Sequence, residues 1–195
     1  MTDLAGPAGP TPSAGPLGQT PSQTVGPFFA FGLPYAGGPY VAPEWRADAI
    51  RLRGVVTDGA GAAVPDAMIE IMQADTDGTV PRVPGALRRA GADFSGFGRC
   101  DTDAGGWYWF STVRPGRVNG AAPYIAMLVF ARGLLKPALT RVYFPDDAEV
   151  NAADPVLSAV PDARRGTLLA VPEDDRTYRF DIRLQGENET VFWGM

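Results

Sequence analysis

Residues 51–56 read RLRGVV and residues 178–184 read YRFDIRL, both alternating apolar with polar or charged side chains. Successive side chains of a strand point to opposite faces, so a period of two marks strands with one buried face; a helix repeats near 3.6. Working outward, short apolar runs rich in β-branched or aromatic residues cover 50–56, 67–74, 107–112, 124–131, 139–144, 167–171 and 178–184. Seven such runs, separated by Gly, Pro and Asp, predict an all-β sandwich or barrel. TDGAGAAVPDA (57–67) and DTDAGGW (101–107) are turn signals, and DDAEVNAADPVL (146–157) holds a short helix or an irregular excursion.

Length and composition fit one domain, with 45% hydrophobic residues over 195. Residues 1–19 are Gly, Pro, Ala, Thr and Ser with little to bury, which predicts a flexible tail ahead of a single domain over 20–195. The formal charge is −5, with no basic run, which disfavours nucleic acid and anionic membranes as partners. No apolar run approaches the length of a membrane span, the first residues lack a secretory pattern, and Cys100 is the lone cysteine. These features predict a cytoplasmic protein without disulfides.

The chain has no histidine. That removes Ser–His and Cys–His nucleophile pairs, an imidazole proton shuttle and any histidine-bearing metal site. Ser95 in DFSGFGR therefore reads as structural. The pairs Asp75/Asp77 and Asp101/Asp103 look like calcium loops, but position 12 counted from Asp75 is Ala86, so they read as turns. Trp107, Tyr108, Trp109 and Phe110 suit a core or an interface better than a stacking platform, and Phe192 and Trp193 suit an interface anchor. Two features stand out. TPSQTVGPFF (20–29) is too polar for a core strand and too stiff for a linker, as loops that wall pockets are. Arg132 in VFARG ends an apolar run, and reads either as a solvated arginine or as a cation facing an anionic ligand.

TPSQTVGPFF, IEIMQADTDG, GFGRCDTDAGGWYWFSTVRPG, FARG, TRVYFPDD and RFDIRLQGENETVFW, in this order, resemble the intradiol ring-cleavage dioxygenases from Thr20 to Trp193. The resemblance implies a prealbumin-like β-sandwich with long loops and an extended N-terminal arm. It also implies opening of protocatechuate by O2 between its hydroxyl-bearing carbons, to 3-carboxy-cis,cis-muconate. Iron-binding relatives hold Fe(III) with two tyrosines and two histidines, and those positions fall here on Val80, Val118, Tyr124 and Ala126. No metal ligand set and no catalytic residue is therefore expected in this chain alone. The resemblance implies that Fe(III) is bound by a homologous beta subunit, that the small aromatic substrate sits at their interface, and that this chain supplies Thr24, Gly26, Pro27 and Arg132 to bind it. Phe28 continues that loop without a hydroxyl. A non-catalytic prealbumin-like module shares the TDGAGAAVPDA–strand–QAD pattern, but has no need of TPSQTVGPFF or GENETVFW. A self-sufficient dioxygenase built on tyrosine ligands is a further alternative.

Overall fold

A computed structural model describes residues 23, 24, 26, 28–81 and 93–194; the tail expected over 1–19 lies outside them, as does Pro27. The chain opens with a one-turn helix, α1 (Phe29–Gly32), and continues through β1 (Ala49–Thr57), β2 (Met68–Met72), β3 (Phe97–Asp101), β4 (Trp107–Val113), β5 (Tyr124–Phe130) and β6 (Ala138–Tyr143). Short helices α2 (Ala148–Ala152), α3 (Pro155–Ser158) and α4 (Asp162–Arg165) precede three brief strands, β7 (Val171–Pro172), β8 (Thr177–Arg179) and β9 (Ile182–Arg183).

Two sheets form a sandwich. The first runs β4-β1-β8-β7 with β9 also beside β1, and the second runs β3-β2-β5-β6. β1 and β4 pair antiparallel from Ala49↔Val113 to Val55↔Trp107, whereas β8 and β9 join β1 in parallel. Inward positions alternate as the sequence predicts: Leu52, Val56, Phe110, Tyr178 and Ile182 face Ile69, Ile71, Ile125, Met127, Val129 and Val142 across one core. Each fully buried aliphatic side chain among them contributes about 2 kcal/mol of transfer free energy.

Gly54, the one small residue of RLRGVV, is where the returning chain crosses closest. A Cβ there would lie 1.8 Å from the Phe180 carbonyl oxygen, so no other residue fits without moving β1. The same carbonyl accepts a hydrogen bond from the buried Tyr108 hydroxyl, tying β4 to the crossing.

Several elements differ from the sequence expectation. β3 was not among the expected strands, because its inward positions are Gly98 and Cys100, which carry almost no hydrophobic signal. Gly98 is required, since a Cβ would lie 2.5 Å from Val41 Cγ2. The run 178–184 is interrupted at Phe180 and Asp181 between β8 and β9, and 167–171 runs from the end of a 3₁₀ turn (Gly166–Leu168) to the start of β7. The excursion over 146–157 holds two helices; buried Asp154 caps α3 by accepting from the N–H groups of Val156 and Leu157, and also accepts from Ala122 N–H ahead of β5. Leu157 from this excursion, with Val160 and Leu168 after it, covers Tyr143 and Ala122 in a second small core, outside the second sheet.

Candidate functional site

Outward positions of the second sheet pair in rows: Met68 with Phe130, Glu70 with Leu128, Met72 with Ala126, then Ala126 with Arg141 and Tyr124 with Tyr143. One end is covered by α1, whose Phe29 and Ala30 pack on Met68 and Phe130. The other end meets the small helical core. Between them the surface is open, and Met72 is 57% exposed.

A cavity of about 190 Å³ opens on this face, lined by Met72, Gln73, Ala74, Val80, Gly116, Val118, Ala122, Tyr124 and Ala126. The four positions that the resemblance sets against iron ligands, Val80, Val118, Tyr124 and Ala126, are all in its wall. Folding gathers them because the turn after β2 lies against the loop after β4: Gly116 N–H donates to the Asp75 carbonyl at 2.8 Å, and a Cβ at Gly116 would strike Gly78 N at 2.4 Å. The donor set does not fit iron. Val80, Val118 and Ala126 offer no lone pair, which leaves one phenol where a ferric ion needs several anionic or imidazole donors. Among the described residues no three His, Cys, Asp or Glu side chains converge elsewhere as a metal site. The Gln73 amide is committed to structure, donating to the Val113 carbonyl and accepting from Thr112 Oγ1.

Arg132 lies at the opposite end of β5. Tyr124 and Phe130 bound that strand, and six steps of about 3.4 Å separate them by roughly 20 Å. Arg132 is 63% exposed, and its Nε meets Asp66 Oδ2 at 2.6 Å, whereas the Asp66 side chain is only 9% exposed. Asp66 Oδ1 is buried with no hydrogen-bond partner. The N-terminal segment reaches this same end of the sheet through Phe29, whose ring lies 6.3 Å from that of Phe130. Gly26 takes a left-handed backbone, φ 69°, which a side chain disfavours. Thr24 is exposed, and Phe28 and Phe31 are 82% and 80% exposed, an unusual display of apolar surface on one short helix.

The remaining candidates have structural roles. Asp77 and Asp103 close their turns by accepting backbone N–H groups, and Asp75 does so while also pairing with Arg46. Ser95 Oγ donates to the Phe97 carbonyl. Cys100 is buried, and desolvation pushes its thiol up to about 11, far from thiolate chemistry. Tyr108 and Phe110 fill the core, and Trp193 packs near the small helical core beside Arg141. Sequence reasoning missed Asp66 and Arg141. Asp66 sits in a turn-rich stretch and Arg141 at an outward strand position, where polar residues are ordinary, so nothing local marks either.

The dioxygenase family profile matches residues 43–186, which span nearly all of both sheets. The chain belongs to the intradiol dioxygenase family. It is 45% identical to the protocatechuate 3,4-dioxygenase alpha chain of Burkholderia cepacia, over 88% of this chain and 95% of that one. The beta chain of the same organism's enzyme is 33% identical, over 72% of this chain and 66% of that one. Among solved structures, the dioxygenase domain of a carbohydrate-binding fusion protein from Streptomyces sp. SirexAA-E superimposes with a TM-score of 0.55 at 22% identity, covering 86% of this chain and 98% of that one. That likeness places the β-sandwich among the family's folds. Among the described residues no helix is long and apolar enough to cross a membrane.

Proposed function

We propose that this chain is the alpha subunit of a protocatechuate 3,4-dioxygenase, which works with O2 at a site shared with a homologous beta subunit that binds Fe(III). The product under this reading is 3-carboxy-cis,cis-muconate. The observation that carries it is the separation of two features along β5. The cavity on the second sheet has Val80, Val118 and Ala126 at positions that the resemblance sets against iron ligands. At the far end Arg132 is exposed, and Phe29, which follows the segment that holds Thr24 and Gly26, packs on Phe130. A chain of this kind cannot run metal chemistry in its own cavity, but can wall another chain's site.

In that role Gly26 lets the loop turn where a Cβ-bearing residue would be strained, and Pro27 stiffens it. Asp66 occupies Nε of Arg132, which leaves the two Nη groups as a fork for the carboxylate of the substrate. The exposed Phe28 and Phe31 then supply apolar contact that excludes water around the reacting ring. A buried, unreactive Cys100 suits a reducing cytoplasm.

The test is iron content and ring-cleavage activity of the chain purified alone and co-expressed with its beta subunit. Both are expected only in the pair; iron and activity in the lone chain would overturn the reading. Arg132→Ala is expected to raise KM for protocatechuate more than for catechol, which lacks the carboxylate. Unchanged kinetics would remove Arg132 from the site.

A further inference from the structure

A positive charge stands beside the cavity that does not suit a cation, on a residue that does not line it but neighbours two that do. Arg141 is the registered neighbour of Ala126, and its guanidinium carbon lies 4.0 Å from the Tyr124 ring centroid; both of those residues line the cavity. The guanidinium also approaches the Trp193 ring at 5.6 Å and donates to the Tyr143 hydroxyl at 3.3 Å. Some half-buried arginines have carboxylates, as Arg46 has Asp75, Arg99 has Glu70 and Arg114 has Asp147, whereas Arg164 and Arg183 donate to the backbone carbonyls of Glu189 and Gly59. Arg141 has no carboxylate among the described residues. Tyr143 is no counter-anion, because burial pushes its hydroxyl above the usual phenol range although Arg141 opposes the shift. A guanidinium boxed by rings, without a negative partner, is a prepared anion site.

The cavity specifies the rest of the ligand. Its walls are Met72, Val80, Val118, Ala122 and Ala126, with one aromatic side, Tyr124, whose hydroxyl has no hydrogen-bond partner among the described residues. Apolar cavities of about 150 Å³ accept a benzene ring, and this one measures about 190 Å³. We propose that this cavity binds a small aromatic monocarboxylate of the benzoate class without any metal, its ring between the apolar walls and Tyr124 and its carboxylate on Arg141. The loss of iron ligands then accompanies a change of function from metal site to anion site, and no turnover is involved.

The test is calorimetric titration of 4-fluorobenzoate, which has no catechol hydroxyls to chelate iron, into the full chain in complex with its beta subunit. The expected result is saturable binding that includes one ligand per copy of this chain. Arg141→Met and the cavity-filling Val118→Trp should each remove that one ligand. Arg141→Lys should retain the site at reduced affinity, which a misfolded variant would not. Neutral 4-fluorobenzamide should bind there at least tenfold more weakly. Unchanged stoichiometry in Arg141→Met, or equal binding of the amide, overturns the proposal. So does an absence of 4-fluorobenzoate binding combined with weaker subunit association in Arg141→Met, which would assign the anion to a carboxylate of the partner. Since neither iron nor ring cleavage is read, failure of the subunit assignment and failure of this site are separable.

Discussion

The outward faces of the two sheets differ sharply. On the first, Arg51 covers Trp109 at 4.5 Å, and Arg53 and Arg179 cover Trp107 at 5.8 and 5.3 Å. Each of these arginines is itself paired, with Glu44, Glu173 and Asp181 respectively. Rings are roofed by cations and cations by carboxylates, so the face is finished toward water. On the second, that finish is confined to one edge, where Arg99 lies over Phe97 and pairs with Glu70; further along, Met72 and Ala126 form an apolar row, Val80 is 49% exposed, and Arg141 covers Tyr124 without an acidic partner among the described residues. The same alternating backbone supports both faces; only the outward side chains differ. The lesson is that the second face is built to meet something other than solvent.

The largest effect should come from the first sheet's backbone. Gly54→Val would drive a side chain into the Phe180 carbonyl, and a loss of about 3 kcal/mol or more is expected in chemical denaturation. A near-normal midpoint would show that β1 and the returning chain are not packed as described. Next, the two faces can be set against each other directly. Met72→Asp, on the open face, is expected to weaken association with the beta subunit at least roughly tenfold in sedimentation or surface-binding measurements, with little loss of stability. Trp107→Ala, on the finished face, should do the reverse, costing about 1–2 kcal/mol of stability and leaving association intact. If both variants behave alike, the contrast between the faces is wrong.

A smaller effect is expected at the far end of β5. Asp66→Asn removes the charge that orients Arg132, so KM for protocatechuate should rise by roughly threefold to tenfold with kcat nearly kept. Equal effects on catechol would point to a general structural role instead. The smallest concerns the Arg46–Asp75 pair beside the cavity loop. Burial raises the Asp75 carboxyl, but the Arg46 hydrogen bond and those from Thr76 outweigh it and hold it below its ordinary value of 3.8. A depressed folded value adds stability that is present above the unfolded value and is lost as pH falls through the folded one. The Tm advantage of the wild type over Asp75→Asn should therefore be full at pH 6 and shrink below about pH 4. A constant difference across that range would exclude the linkage.

Much of the fold was legible because its signals are local. RLRGVV alternates with the period of a half-buried strand and the run 124–131 is continuously apolar, and they are β1 and β5 within a residue or two. β3 was hidden because Gly98 and Cys100, its inward residues, meet the core through closeness of the backbone rather than through apolar bulk. The absence of histidine could be read directly, because it depends only on residue identity.

What the sequence alone determined, then, is the β class, the chemistry the chain lacks, and the family pattern of its motifs. Tertiary structure decided which residues meet. Val80, Val118 and Tyr124 come from different loops and strands and share a cavity only through strand register. Asp66 reaches Arg132, and Arg141 comes to stand beside Tyr124 without a carboxylate, for the same reason. Periodicity and composition are properties of neighbours along the chain. The partner of a charge is a property of the fold, fixed when two sheets close on one core and bring distant residues within a few ångströms.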